Sequence, residues 1–503
     1  MPRIPAIKSL FLFFILTLVA CSDGGSNSNF ISNSALSADN INLIFVVSPD
    51  LAYSTAGDNN SETANLSDQG LQRSLLMAPY LKQQVLGGKN VNSIYTISPM
   101  SHLQTTSNYP DMAAIGFIQQ FALLNQITLH VDGNGNTYTG NSYPINASYA
   151  RKEGVPDGVA LPPLYCTDCS GLDFNNAAGI NDTLVAGIIN KKTPGYYVFS
   201  APWETVSAML AKINAQYGYN LNPPTSYMGT NYVYAISIPT SPTSGKASLV
   251  TYNSNLNPPA TYPVLPSTVP STACTHSLQP YYRLVLYKGM TGVTIPSGIN
   301  RNTRLYIIRH AEAHPDPTFG FDDGNYVAAG QWRALYLATA LRGKIAPNAV
   351  YSIDPAGMWY PNRDIKVSYV RTSLTVLPYA IANNLPYYLA AGLSLGNPFN
   401  PTERSVATNT SKFFFTGGTF SNQTLLVGWE SGHIKPFINE LIKSYGITNP
   451  TLLLPEAWPS EDYDTIWTVT LDVQGNLTVD NELCEGVDSA NLPATAPVDR
   501  SCL

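Results

Sequence analysis

The strongest constraint on this chain is that it repeats itself. LIFVVSPD (43–50) matches LYIIRHAE (305–312), each a short apolar run ending in a polar turn, the pattern of a strand buried on both faces. GLQRSLLMAPYL (70–81) matches GQWRALYLATAL (330–341), with apolar residues at helical spacing after a glycine. NSIYTISP (92–99) matches NAVYSIDP (348–355), a second strand. YYVFSAPWETVSAMLAKINAQYG (196–218) matches LLVGWESGHIKPFINELIKSYG (425–446), a strand running into a helix, and YVYAISIP (232–239) matches YDTIWTVT (463–470). Five blocks in one order at similar spacings describe one unit built twice. Their alternation predicts an α/β fold: two tandem three-layer α/β/α domains with mostly parallel sheets, over 41–260 and 295–503. The stretch between them, 261–294, is rich in Pro, Ser and Thr at its start and reads as a linker.

Composition narrows the function classes. Of 503 residues, 44% are hydrophobic and 12% charged, enough apolar material for real cores. A net charge of −6 argues against a nucleic-acid partner, which selects for a basic excess. The one apolar run approaching membrane length lies at the N-terminus, which excludes a multi-span membrane protein.

That N-terminus reads as an address. Arg3 and Lys8 form a positive region, Leu10 to Val19 an apolar one, and small Ala20 precedes Cys21. Residues 18–21, LVAC, resemble the lipobox of bacterial lipoproteins. The resemblance implies removal of a signal peptide, 1–20, and acylation of the Cys21 thiol. SDGGSNSN follows, so 21–40 reads as a flexible tether. Ser22 after the cysteine implies the outer membrane, and the protein is expected in the cell envelope, held by its lipid. Beyond Cys21 stand Cys166, Cys169, Cys274, Cys484 and Cys502. An odd number leaves one thiol unpaired within the chain, and an exported location permits disulfides. Cys166 and Cys169, with no second pair at metal spacing, read as a loop disulfide.

The two copies differ where parallel sheets place their ligands, at the carboxyl ends of the strands. After its first strand the second copy carries Arg309-His310-Ala311-Glu312, and the first carries Val47-Ser48-Pro49-Asp50. Only the second copy therefore offers a basic, nucleophile-bearing site, and the first reads as a degenerate copy.

YIIRHAEAH resembles the hallmark of the histidine phosphatase superfamily, with Ala311 where the family has glycine. Three further elements follow in order: the helix YVAAGQWRALYLATAL, the strand VYSIDPAG leading to Arg371 and Thr375, and the strand TLLVGWESGHI. The resemblance covers about 303–470 and implies a phosphoglycerate-mutase-like fold. It implies a phosphomonoesterase in which His310 attacks phosphorus to form a phosphohistidine. Arg309 and Arg371 would bind the phosphoryl oxygens as guanidinium forks, with no metal or other cofactor. Where some relatives read Trp-Glu-His, this chain has Trp429-Glu430-Ser431. Either His433 completes the site or Ser431 donates to the phosphate instead. The leaving-group acid is Glu430, Glu312 or Glu403, and Glu312 could alternatively orient Arg309. His102, His130 and His276 read as structural or exposed, and His314 as a loop residue. The expected substrate is a small-molecule phosphomonoester. The competing expectation is a non-catalytic surface lipoprotein that binds a ligand or partner on a degenerate phosphatase fold.

Overall fold

The computed structural model describes residues 32–493 except 33, 123, 125–126, 132–135, 141–144, 147–170, 242–244, 264–268, 314–325, 354–357, 363–364, 369–370, 391–402 and 456. Cys21 with the leader, His314, Cys166, Cys169 and Cys502 lie outside these residues, as do the side chains of His130 and Glu403. Of the expected tether, 21–40, residues 34–40 are not flexible spacer but part of the fold, with Leu36 buried in the core and a strand beginning at Asn40.

The first half builds one sheet from β1 (Asn40–Val47), β2 (Ser93–Thr96), β3 (Ile145–Asn146), β4 (Gly195–Ala201), β5 (Tyr232–Pro239) and β6 (Ser248–Asn253), in the order β6-β5-β1-β4-β2-β3. Strands β1, β4, β2 and β3 are parallel, and β5 and β6 turn back antiparallel. The second half uses β7 (Arg283–Leu286), β8 (Thr303–Arg309), β9 (Ala349–Ile353), β10 (Tyr387–Ala390), β11 (Thr424–Trp429), β12 (Trp467–Leu471) and β13 (Leu477–Asp480). Their order is β7-β13-β12-β8-β11-β9-β10, with β8, β11, β9 and β10 parallel. Leaving aside edge strand β7, the two orders correspond strand for strand. The repeated sequence blocks thus occupy equivalent places in two sheets of one topology.

The central strands are buried and mostly apolar because helices cover both of their faces. In β1, Ile44 and Val46 face helices α1 (Asp68–Tyr80) and α2 (Ala113–Ala122). Ile41, Leu43, Phe45 and Val47 face α3 (Ile180–Lys191) and α4 (Trp203–Tyr217). In β8, Tyr306 and Ile308 face α5 (Ala328–Ala340) and α6 (Arg371–Ala382). Leu305 and Ile307 share a core with Phe414 of α7 (Glu403–Phe415) and Phe437 of α8 (Ser431–Ser444).

The halves are not two separate globules. Residues 31–503 form one compact unit, and the core beneath α1 and α2 is continuous with that beneath α5 and α6. At Gly116 of α2, an added Cβ would sit 3.0 Å from Leu377 of α6. Across the same face Tyr326 donates to Gln119 (3.1 Å) and Asn60 to Asn384 (2.8 Å).

Residues 261–294 correct the linker expectation. Arg283–Leu286 forms β7, the edge of the second sheet, paired with β13. A disulfide joins Cys274 to Cys484, and the Thr272 N–H donates to the Gly486 carbonyl (2.9 Å). Only a segment bound to the second half could pair this way, so most of the expected linker belongs to that half.

Candidate active site

The site residues stand where the central parallel strands of the second sheet end. Arg309 closes β8 and pairs in register with Trp429, the last residue of β11. The His310 N–H donates to the Trp429 carbonyl (3.0 Å), which pins the turn after β8 to the end of β11. The His310 ring is 1% exposed. Its Nδ1 lies 2.7 Å from the Ala311 carbonyl oxygen. A carbonyl only accepts, so Nδ1 is the donor in this contact.

Arg309 is 8% exposed. Its Nη1 donates to the carbonyls of Ser460 (2.8 Å) and Asp462 (3.1 Å), and its Cζ lies 4.0 Å above the Tyr463 ring. The Nε–H, also buried, has no acceptor among the described residues. One edge of the guanidinium is thus fixed by the fold while another keeps an unsatisfied donor, an arrangement that favours an anion.

Arg371 opens α6 and is 4% exposed. Thr375, one turn later, accepts the Ala311 N–H (2.9 Å) and donates to the Arg371 carbonyl (2.7 Å). The spacing of Arg371 and Thr375 therefore ties the first turn of α6 to the residue after His310. Gly428 in β11 permits this approach: a Cβ there would lie 2.8 Å from Val376 of α6.

Glu430, Ser431 and His433 form one cluster at the start of α8. His433 Nδ1 lies 2.6 Å from Glu430 Oε2, and the Ser431 hydroxyl donates to Glu430 Oε1 (3.0 Å). Burial alone would raise the Glu430 carboxyl, but the hydrogen bond and charge of His433 outweigh it and hold it at about 2. Glu430 thus stands as the carboxylate that holds His433 Nδ1.

Glu312 is also reassigned. It holds not Arg309 but Arg333 of α5, with Nε 2.8 Å from Oε1, and it accepts from Ser489 (2.7 Å). Arg333 also donates to Glu485 (2.7 Å). Burial opposes the Arg333 charge, and the two carboxylates more than restore it. The group is a buried structural knot. Neither it nor Tyr463 was visible in the sequence, because Arg333 lies 21 positions from Glu312 and 152 from Glu485, Ser489 lies 177 from Glu312, and Tyr463 is equally remote from Arg309. Beyond Tyr463 lies a cavity of 480 Å³, lined also by His276, Gln279 and Asp488.

At the equivalent strand ends of the first half the charge is reversed. The Ser48 N–H donates to the Ala201 carbonyl (2.9 Å), as His310 does to Trp429, so Ser48 occupies the His310 place and Val47 that of Arg309. Ala113 opens α2 where Arg371 opens α6. Instead of cations, Asp50, Asp111 and Glu204 gather here with His102, which lies 2.7 Å from Asp50. His102, expected to be structural or exposed, is thus part of a buried polar cluster.

No family model and no curated protein matches the chain. Among solved structures it is similar to a mycobacterial glucosyl-3-phosphoglycerate phosphatase, with 15% identity over 34% of this chain and 94% of that one, at a TM-score of 0.23. It is similar to the protein histidine phosphatase SixA complexed with tungstate, with 19% identity over 37% and 98% and a TM-score of 0.22. It is also similar to a phosphoserine phosphatase mutant from Entamoeba histolytica in complex with phosphoserine, with 17% identity over 36% and 96% and a TM-score of 0.22.

Proposed function

We propose that the second half is a phosphomonoesterase working through His310, carried on a lipid-anchored protein of the cell envelope. The observation that carries this reading is the His310 ring. Its Nδ1 donates to the Ala311 carbonyl, so Nε2 is the nitrogen assigned as nucleophile, on a turn bounded by buried Arg309 and tied to the first turn of α6. A phosphoryl group seated there meets the unsatisfied Arg309 Nε–H and the guanidinium of Arg371. Nε2 attacks phosphorus, and the bond from phosphorus to the leaving oxygen breaks as that oxygen takes a proton. Water then attacks the phosphohistidine, releasing inorganic phosphate and restoring the imidazole. Charge on the transferring group is met by the two arginines and by the N-termini of α6 and α8, both at this end of the sheet. His433, oriented by Glu430, is the group that supplies the leaving-group proton. The envelope address and outer-membrane anchoring rest on the leader and Cys21.

The full chain is expected to hydrolyse an aryl phosphate, with His310→Ala lowering kcat by at least about 1000-fold at unchanged circular dichroism. Full activity in His310→Ala would overturn the reading. A second reading, an anion-binding protein without turnover, is favoured by the near-complete burial of His310 and by Ser431 standing where some members of the resembled family have histidine. It predicts that phosphate raises the Tm while no phosphomonoester is hydrolysed.

A further inference from the structure

We propose that the first half holds a divalent metal ion between Asp50, His102 and Asp111, so that the duplicated strand-end site binds an anion in one half and a cation in the other. Asp50 comes from the turn after β1, and His102 and Asp111 from the two ends of a short hairpin in the connection between β2 and α2, where the Asp111 N–H donates to the His102 carbonyl (3.1 Å). One ligand atom from each lies within 4.8 Å of the other two, the spread of donors around a single ion.

Each ligand is already oriented. Asp50 Oδ1 accepts the Ala52 N–H (2.7 Å), and its Oδ2 faces His102 Nε2 at 2.7 Å. The His102 ring is stacked on Phe174, with centroids 3.7 Å apart. Asp111 is fully buried, and its Oδ1 accepts the Ala113 N–H (2.9 Å). Asp111 Oδ2 is the independent observation, since it is buried and has no hydrogen-bond partner among the described residues. A bare carboxylate oxygen in the interior is costly, and a cation answers that cost directly. Glu204, at the start of α4, adds its charge to the cluster and has a second buried oxygen without a partner.

The donor set names the class of ion. Two carboxylates and an imidazole suit a first-row divalent cation such as Mn²⁺ or Zn²⁺ rather than a thiophilic metal. Such an ion would clamp the loops after β1 and β2 to the N-terminus of α2, the helix that packs on α6 of the other half.

The test uses the full chain, stripped with chelator and titrated separately with Mn²⁺ and Zn²⁺. The expected result is one ion retained per chain after desalting, a higher Tm when loaded, and binding weakened about 100-fold or more in Asp111→Asn and His102→Gln. His310→Ala is expected to bind the ion as the unaltered chain does. Electron spin-echo spectra of the Mn²⁺ form, which need no variant, are expected to show coupling to one histidine nitrogen. Absence of a stoichiometric ion, absence of that coupling, ligand variants that bind like the unaltered chain, or loss of binding in His310→Ala would each overturn the site.

Discussion

Arg309 divides its guanidinium between the fold and the site, and Glu430 shows the same economy at the next strand. Its carboxylate serves His433 and Ser431 together, and that service fixes its protonation. The folded value of about 2 lies below the ordinary 4.5, so the stabilisation is present above pH 4.5 and lost as pH falls toward 2. Burial leaves Glu430 only 15% exposed, and the shift corresponds to a contribution on the order of 3 kcal/mol. Urea unfolding between pH 5 and 2.5 is therefore expected to show a steeper loss in the unaltered chain than in Glu430→Gln. Parallel pH curves would contradict the assignment. At this scale the sequence spoke clearly only where chemistry and position coincide. Arg309 and His310 stood out as a basic pair at the end of an apolar strand, and the structure places them at that strand end, with part of the Arg309 guanidinium held by the Ser460 and Asp462 carbonyls. Glu312 misled because its partners, Arg333 and Ser489, come from an unrelated helix and from near the C-terminus, and no local pattern joins them.

Elements were the most legible level, because burial on both faces writes long apolar runs and repetition doubles the signal. The repeat aligned Asp50 with Glu312, but the structure aligns Asp58. The Asp58 carbonyl accepts the Ser67 N–H as the Glu312 carbonyl accepts that of Val327, and Arg73 of α1 pairs with Asp58 as Arg333 of α5 pairs with Glu312. A longer turn after β1, which short aligned blocks could not reveal, accounts for the difference. Both helices approach these turns through a glycine. A Cβ at Gly330 would lie 2.3 Å from the Glu312 carbonyl oxygen, and one at Gly70 lies 2.1 Å from that of Asp58. Gly330→Ala must push α5 away from the turn that carries His310. The expected loss is about 2–4 kcal/mol of stability, read by chemical denaturation, with a fall in the proposed phosphatase activity. A variant as stable as the unaltered chain would show that the close approach is not required.

For the molecule as a whole, the pairs α1–α2 and α5–α6 give the halves a common core. Leu377, Val376 and Leu374 of α6 lie in the core that also holds Ile115 and Phe117 of α2. Residues 295–503 alone would expose that face and lose both β7 and Cys274, the partner of Cys484. They are expected to be insoluble or aggregated, whereas co-expression with 31–294 restores soluble protein; a soluble, monomeric 295–503 would contradict the shared core. The sequence announced two units but not their union, since apolar helix faces look the same whether they cover a sheet or a neighbour. The claim on which the functional account rests is that Nε2 of His310 takes the phosphoryl group. It is tested most directly by mixing the full chain with an excess of phenyl [³²P]phosphate, quenching in alkali within milliseconds, and mapping the label. The account predicts acid-labile, alkali-stable phosphate on the peptide containing His310 and none in His310→Ala; turnover with no such label, or label that persists in the variant, would contradict it.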